Sequence, residues 1–518
     1  MPRTRTDATQ LAAELASRGL MTFTQERAAM AAGLAQVQES RAAWGRADLI
    51  ACIGQHLPDH AAGAGQEHAW RLLEDLAGRA LAGEAGEEVL RLDAPEWPRV
   101  PDALRRAGGE SIYRPHGCEL YATRGQLSLE EQMLAQAQAG DAPHLTCEQA
   151  AALLGADRAQ LEAQLRADAP AHDGVTQTGL RVDQAAAAFL ALTSPRRAEP
   201  IVGPAGTGKT YTAVHIAQAW RLAGMGRVYG IATTSAGRNV MLEAGIPLAE
   251  NTAQFLGHLP GQREARGATD IGPAALLILD EASMTSMPDL AGTIRHAAWM
   301  GAKVIITGDH AQLAAVQAGG GMEMLARKLG YAQLTEAVRF REPWEGPASL
   351  AIRAGDVSAL GTYDAHARLH GGSYEAMAEQ ACQAYLADYL AGTDVVLTAY
   401  ERRECADLSR RIQEYLLNWG RIQPGPAANL ADGNRAHIGD LVAADQNDNH
   451  LQAGAAGRTL ANGDILRVDA ISADTITVSR LTDDRTGGRR AWRSGPTWRS
   501  STPPAGRSSA LPRSRHPC

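Results

Sequence analysis

The stretch EPIVGPAGTGKTYTAVHIAQAW (199–220) decides the fold of this chain. An apolar run (199–202) precedes a glycine-rich loop, GPAGTGKT (203–210), and a segment of helical pattern follows it. This order predicts a buried strand, a tight turn and a helix whose first N–H groups point into the turn, an arrangement that binds phosphate. Because the chain has only three lysines, a chance match to GxxxxGK[ST] is expected only about 0.003 times in this length.

Each position of this Walker A loop has an expected role in binding ATP. The Lys209 ammonium would reach the β- and γ-phosphates, and the Thr210 hydroxyl would ligate Mg²⁺. The loop backbone would surround the phosphates, and it is formed by Gly203, Pro204, Ala205, Gly206, Thr207 and Gly208.

Two further apolar runs end in polar residues. LLILDEAS (276–283) ends in Asp280, which can hold Mg²⁺ through water, and Glu281, which can polarise the attacking water. An Asp-Glu pair after a strand is common and usually only solvated, but about seventy residues after a Walker A loop it is typical of a Walker B motif. VIITGDHAQL (304–313) places Gln312 where an amide can sense the γ-phosphate.

The pattern along the chain predicts an α/β fold. From about residue 176, short apolar runs alternate with helical stretches, which is typical of a parallel sheet covered by helices on both faces. DVVLTAY (394–400) is predicted as one more strand, in a second domain. Residues 1–170 are predicted to be mostly helical, and 431–484 to form a small β-barrel.

Composition limits the class of protein. Apolar residues make up 45% of the chain and the formal net charge is −8, which argues against coating nucleic acid by bulk charge but not against a local basic channel. No run of eighteen apolar residues or signal-peptide core is present, so we expect a cytoplasmic protein without a membrane span. The six cysteines lack CxxC spacing and suggest neither a zinc site nor a disulfide framework.

The three motifs, in this order, resemble those of superfamily 1 helicases of the RecD type. Longer stretches resemble the helicase half of conjugative relaxases of the TrwC/TraA type. These stretches are AAWGRADLIACIGQHLP (42–58), ELYATRGQLSLEEQML (119–134), LTEAVRFREPWEGPASLAIRAGD (334–356) and AHIGDLVAADQNDNHL (436–451). The resemblance implies a P-loop NTPase with tandem RecA-like domains, a first one at 171–332 and an incomplete second one at 333–430, and an SH3-like β-barrel insertion at 431–484.

The resemblance also assigns residues outside the three motifs. Gln184 matches a glutamine that pairs with adenine, and Arg339 matches an arginine that approaches the γ-phosphate from the second domain. Thr234 and Thr252 match positions that contact single-stranded DNA. For these two threonines, a hydroxyl that only caps a helix is an equally good interpretation.

The function implied is an ATP-dependent DNA helicase, 5′-to-3′ by resemblance, with single-stranded DNA and the conjugation machinery as partners. DNA nicking is not expected, because neither a tyrosine cluster nor a closely spaced histidine triad is found. Helicases of this group carry two further motifs, V and VI, after the β-barrel insertion, and these should follow residue 482. Residues 485–518 are instead arginine-rich and without periodicity. This predicts a disordered or frame-shifted tail and an impaired motor. The alternatives are an ATP-binding remnant that does not translocate, and the α subunit of a RecD-type exonuclease V.

Overall fold

The computed structural model divides into two compact units, Met1–Asp356 and Val357–Cys518. The structure describes residues 21–58, 66–92, 101–105, 119–166, 174–257, 272, 274–312, 318–393, 395–445, 448–452, 459–460, 462–472, 475–481, 492–499 and 513–514. No helix of this described part is long and apolar enough to cross a membrane.

A six-stranded parallel sheet forms the centre of the first unit. Its strands are β3 (Ala198–Val202), β4 (Val228–Ala232), β5 (Ala249–Asn251), β6 (Leu276–Asp280), β7 (Lys303–Gly308) and β8 (Ala332–Gln333). The order across the sheet is β5-β4-β6-β7-β3-β8. The three predicted strands that end in functional motifs, β3, β6 and β7, are therefore adjacent, and their carboxyl ends meet at one edge.

Each face of this sheet is covered by its own apolar core, because successive side chains of a strand point to opposite faces. Ile201, Ile278 and Ile305 pack with one set of helices. Val202, Leu277 and Val304 pack with another set. The predicted parallel sheet between two helical layers is thus confirmed.

The helices of the first unit follow the predicted apolar periodicity. They are α1 (Phe23–Ser40), α2 (Arg46–Gln55), α3 (Gln66–Leu81), α4 (Arg124–Gln138), α5 (Cys147–Leu154), α6 (Arg158–Arg166), α7 (Val182–Thr193), α8 (Lys209–Leu222), α9 (Ser235–Glu243), α10 (Thr252–Gly257), α11 (Met287–Met300), α12 (Gly321–Leu329) and α13 (Glu345–Arg353). Short 3₁₀ turns occur at Asp102–Leu104 and Ala282–Met284.

Local sequence sets several helix ends. Thr22 and Gln25 form a reciprocal capping box at the start of α1, and Thr146 and Gln149 do the same at α5. Helices α1, α2 and α3 form a separate core around the buried Trp44, beside the short hairpin of β1 (Val89–Arg91) and β2 (Tyr121–Thr123). These described residues are mostly helical, and the predicted lead-in domain at 1–170 stays a prediction.

The second unit contains three helices and an antiparallel sheet among its described residues. The helices are α14 (Ala359–Ala365), α15 (Tyr374–Leu390) and α16 (Arg402–Asn418). The strands are β9 (Ala428–Asn429), β10 (Arg435–Ala436), β11 (Leu441–Ala443), β12 (Asp448–Gln452), β13 (Thr459–Leu460), β14 (Ile465–Ile471), β15 (Thr475–Leu481), β16 (Trp492–Arg499) and β17 (Arg513–Ser514). Five of them form one sheet in the order β16-β15-β14-β11-β17.

Three features of the structure differ from the sequence pattern. Residues 395–399, predicted as a strand, have no strand in the structure, and a strand forms only where a neighbour accepts its backbone hydrogen bonds. Strands β16 and β17 lie within 485–518, for which the pattern predicts no regular structure. The first unit ends at Asp356, whereas the sequence predicts a domain boundary at 332, and that boundary stays a prediction. The incomplete second RecA-like domain and the closed SH3-like barrel stay predictions.

Candidate nucleotide-binding site

The Walker A loop connects the buried strand β3 to helix α8, as the sequence predicts. Gly206 and Gly208 have φ values of +85° and +81°, a left-handed backbone that glycine adopts without a steric penalty. A Cβ atom at Gly203 would lie 2.5 Å from Thr207 Oγ1, and one at Gly208 would lie 2.5 Å from Gln184 Nε2. The glycines are therefore required by both conformation and space.

The Lys209 side chain folds back over this loop. Its Nζ donates to the carbonyl oxygens of Gly203 at 2.8 Å and Pro204 at 3.1 Å. Burial lowers the pKa of Lys209, while the Asp280 and other nearby carboxylates work in the opposite direction. The ammonium is thus held inside the loop in a partly desolvated position, where its charge acts strongly on a bound phosphate.

One hydrogen bond joins the Walker A and Walker B motifs. Thr210 Oγ1 donates to Asp280 Oδ2 at 3.1 Å. The other carboxylate oxygen, Asp280 Oδ1, accepts from Thr307 Oγ1 at 2.6 Å and from the Glu281 N–H at 2.9 Å. Adjacent strands β6 and β7 therefore fix the orientation of this carboxylate beside the Thr210 hydroxyl.

Glu281 is exposed and has a left-handed backbone, with φ of 54° and ψ of 39°. This conformation costs a non-glycine residue about 1–2 kcal/mol. Glu281 begins the 3₁₀ turn Ala282–Met284, so the strained residue ends β6 at the position that the sequence assigns to water activation. Strain of this kind is concentrated at functional sites.

The end of β7 carries an ion pair that the sequence analysis does not predict. Arg353 Nε donates to Asp309 Oδ2 at 3.0 Å, and Arg353 Nη2 donates to Oδ1 at 2.5 Å. Burial alone would raise the pKa of Asp309, but the bonds from Arg353 and the Ala311 N–H, with the charges of Arg353 and Lys209, outweigh it and lower the pKa. Gln312 is exposed, and its N–H donates to the Asp309 carbonyl at 3.0 Å.

No sequence signal identifies Arg353, because it lies 44 residues after Asp309, at the end of helix α13. Only the tertiary structure brings the two side chains together. The predicted role of Gln312 stays a prediction, since its amide has no described bond to the site.

Arg339 belongs to a segment that covers the Walker A loop. The Val338 N–H donates to the Gly206 carbonyl at 3.0 Å, and the Leu334 N–H donates to the Val202 carbonyl at 2.8 Å. A Cβ atom at Gly206 would lie 2.6 Å from Arg339 Cβ. Arg339 is exposed and belongs to the first unit, with its Cβ beside the loop, and its predicted approach to the γ-phosphate from a second domain stays a prediction.

Gln184 lies beside the loop, but its amide has backbone partners. Its Nε2 donates to the Thr207 carbonyl at 2.9 Å, and its Oε1 accepts from the Arg181 N–H at 3.1 Å. The residue is 2% exposed. In this structure Gln184 supports the loop, and the predicted contact with adenine stays a prediction.

Arg181, which the sequence analysis does not single out, reinforces this support. Its Nη2 donates to the Thr207 carbonyl at 3.1 Å and to Asp183 Oδ2 at 3.2 Å. Asp183 Oδ2 also accepts from the Thr335 N–H at 3.1 Å. The start of helix α7 thereby connects the Walker A loop to the segment that contains Arg339.

The two predicted DNA contacts differ in accessibility. Thr234 is exposed and caps helix α9, where its Oγ1 accepts from the Gly237 N–H at 3.0 Å. Thr252 is 5% exposed, and its hydroxyl donates to the Ala232 carbonyl at 3.1 Å. The structure therefore favours the structural interpretation for Thr252, whose buried hydroxyl is not available to a nucleic-acid backbone.

The arrangement fits a nucleotide with Mg²⁺. Magnesium is commonly held by one or two protein oxygens and completed by phosphate oxygens and water. Thr210 and Asp280 supply such oxygens side by side. Within the described residues, no group of three or more His, Cys, Asp or Glu side chains is arranged to hold a metal ion.

Strand order, loop and paired carboxylate are together typical of a P-loop nucleotide-binding site. Residues 179–374 match the family model described as AAA domain. The chain is 31% identical over 300 residues to a conjugal transfer protein TraA from Rhizobium radiobacter, a match that covers 57% of this chain and 26% of that protein. It is also 31% identical over 262 residues to a TraA of Agrobacterium fabrum (strain C58 / ATCC 33970), covering 49% of this chain and 23% of that one.

These matches span only about a quarter of the length of the curated relatives. Among solved structures, the Pif1 helicase from Candida albicans aligns with a TM-score of 0.32 and 15% identity, over 57% of this chain and 74% of that one. At that score the likeness supports no conclusion about this chain. The comparisons therefore show a match to an AAA domain over residues 179–374 and a sequence likeness to part of conjugal transfer proteins.

Proposed function

We propose that this chain binds MgATP at residues 203–210 and hydrolyses it as the DNA-dependent motor of a conjugative-transfer helicase, moving 5′-to-3′ on single-stranded DNA. The observation that carries the proposal is the hydrogen bond of 3.1 Å from Thr210 to Asp280, which joins the Walker A and Walker B motifs. The sequence likeness to conjugal transfer proteins supports the biological setting.

The residues divide the chemistry among them. The loop backbone and Lys209 would bind the phosphates, and Thr210 with Asp280 would hold Mg²⁺. Mg²⁺ neutralises charge on the β- and γ-phosphate oxygens when bound. Glu281, exposed at the end of β6, would orient and polarise the attacking water.

Arg339 would neutralise charge that develops on the γ-phosphate. Its backbone lies against Gly206, and its charge contributes to lowering the pKa of Lys209, after the dominant effect of burial. The positive charges of Arg339 and Lys209 therefore lie close together, beside the phosphate loop. Such an arrangement favours an anion between them.

The first experiment is the ATPase rate of the purified chain, with and without single-stranded DNA. Lys209→Ala should abolish nucleotide binding without unfolding the first unit. Lys328→Ala is the matched control, because Lys328 is exposed on α12 and belongs to no part of the site. Equal ATP affinity in Lys209→Ala and wild type would refute the site assignment.

DNA dependence separates a motor from a protein that only binds nucleotide. Stimulation of the Lys209-dependent rate by single-stranded DNA would support the motor, whereas ATP binding without turnover would leave a nucleotide-binding protein that does not translocate. The prediction of an impaired motor stays a prediction, which this rate tests. Affinity for single strands should fall with salt at a slope of about −0.7 per phosphate neutralised.

A further inference from the structure

The Walker A site has two distinguishable ends. Lys209 reaches back to Gly203 and Pro204, and Thr210 reaches Asp280, so these groups mark the end for the β- and γ-phosphates and Mg²⁺. The nucleoside of a bound nucleotide has to lie at the other end. The candidate for that end is the surface formed by Tyr211, the third residue of helix α8, and the turn that contains Gly179.

Tyr211 lies at this nucleoside end, directly after Thr210. Its side chain is 47% exposed, and its hydroxyl is 3.5 Å from the Gly179 carbonyl oxygen. A Cβ atom at Gly208 would lie 3.7 Å from Tyr211 Cβ. The ring thus extends from the last glycine of the loop toward the turn that contains Gly179.

The ring of Tyr211 is held in place from within its own helix. The His215 ring lies 4.3 Å from it, at an interplanar angle of 57°. His215 is itself fixed, since Nδ1 lies 2.9 Å from the Tyr211 carbonyl oxygen and Nε2 lies 3.2 Å from that of Thr178. An aromatic side chain that is exposed yet positioned in this way offers a surface for another flat ring.

Gln184, the residue that the sequence resemblance assigns to adenine, does not offer its amide in this structure. Both ends of the amide bond backbone groups, and the side chain is buried. Recognition of a base at this end therefore needs a different group. Tyr211 is an exposed aromatic side chain in that position.

We propose that Tyr211 is the residue on which the base of the bound nucleotide stacks, beside the turn at 176–179. The inference rests on the proposed nucleotide-binding function and adds a base-binding residue to it. Stacking uses the face of the base, which all nucleobases share, and not its hydrogen-bonding edge. The site should consequently bind ATP and GTP with affinities within about tenfold of each other.

The test compares three ligands in the full chain with Mg²⁺: ATP, GTP and inorganic tripolyphosphate, which has no base. Tyr211→Ala should weaken ATP and GTP by roughly 5- to 150-fold, the range of base stacking on aromatic side chains. Its affinity for tripolyphosphate should stay within about twofold of wild type. Tyr211→Phe should retain wild-type affinity for all three, and Tyr374→Ala, at an exposed tyrosine in the second unit, is the matched control.

Each other outcome overturns the inference. Equal weakening of ATP and tripolyphosphate in Tyr211→Ala would mean that Tyr211 only shapes the loop. Unchanged ATP affinity would place the base elsewhere, and ATP preferred over GTP by far more than tenfold would indicate a group that binds the edge of adenine. A wild-type chain that binds neither nucleotide nor tripolyphosphate would refute the proposed function as well, so the two failures are distinguishable.

Discussion

Replacing Arg353 with alanine should destabilise the first unit, because it leaves the Asp309 carboxylate buried without its ion-pair partner. The Asp309 side chain is 1% exposed and the Arg353 side chain is 25% exposed. Removing one partner of a fully buried pair costs about 3–5 kcal/mol, whereas exposed pairs contribute about 0–1 kcal/mol. Since water reaches part of Arg353, we expect a loss of about 2–4 kcal/mol in the free energy of unfolding.

A double-mutant cycle isolates this pair. Urea denaturation of wild type, Arg353→Ala, Asp309→Asn and the double variant gives the coupling energy directly. The double variant should recover part of the stability that Arg353→Ala loses, because no uncompensated charge stays buried. Arg353→Lys should recover only part of that stability, since the ammonium keeps the charge but cannot make the same two-point contact.

The matched control is Arg327→Ala, which breaks an ion pair with Glu323 on helix α12. Those side chains are 78% and 41% exposed, so the variant should lose less than about 1 kcal/mol. A loss in Arg353→Ala no larger than in Arg327→Ala, together with additive behaviour in the cycle, would refute the reasoning.

Three further predictions concern the site and the sheet. Gly206→Ala should weaken ATP binding and destabilise the first unit more than Gly224→Ala does. Both glycines have a positive φ, but only a Cβ atom at Gly206 would meet another residue, at 2.6 Å from Arg339 Cβ. ATP-binding titrations and urea denaturation compare the two variants. Glu281→Gln should keep ATP affinity and lower the single-turnover hydrolysis rate by about 10²–10⁴-fold, and an unchanged rate would exclude it as the base. Burial lowers the pKa of Lys303 from 10.5 to about 8. Between these two pH values the unfolded chain binds more protons than the folded chain, so the contribution of Lys303 to the free energy of unfolding rises with pH. Denaturation measures the free energy of unfolding of Lys303→Met and of wild type at pH 7.5 and at pH 10. Relative to wild type, the variant should be less stable at pH 10 than at pH 7.5, by up to about 3 kcal/mol. A difference between the two proteins that does not change with pH would contradict the assignment.

Much of the first unit follows from local sequence. The apolar runs before Gly203, Glu281 and Asp309 are strands of one parallel sheet, and their order along the chain predicts that polar residues meet at one edge. The Walker A loop is equally predictable, because its glycines and lysine have a fixed spacing.

Other parts depend on contacts between distant residues, which a single sequence does not encode in any local pattern. The pairing of Arg353 with Asp309 joins residues 44 positions apart, and the bond from Gln184 to the Thr207 carbonyl joins residues 23 positions apart. The predicted strand at 394–400 is a case in which a suitable local pattern does not lead to a strand among the described residues. Its residues have the right apolar pattern, but no neighbouring strand among the described residues pairs with 395–399.

The segment 334–353 also has a mechanical consequence. It is attached to the sheet and the phosphate loop at three points, by Leu334 to Val202, by Val338 to Gly206 and by Arg353 to Asp309. Any shift of the loop that stretches these bonds pulls on the same stretch of polypeptide, only a few residues before the second unit begins at Val357. A mechanical force produced at the phosphate loop would then be transmitted to the second unit through the covalent polypeptide chain, and would not depend on noncovalent contacts between surfaces.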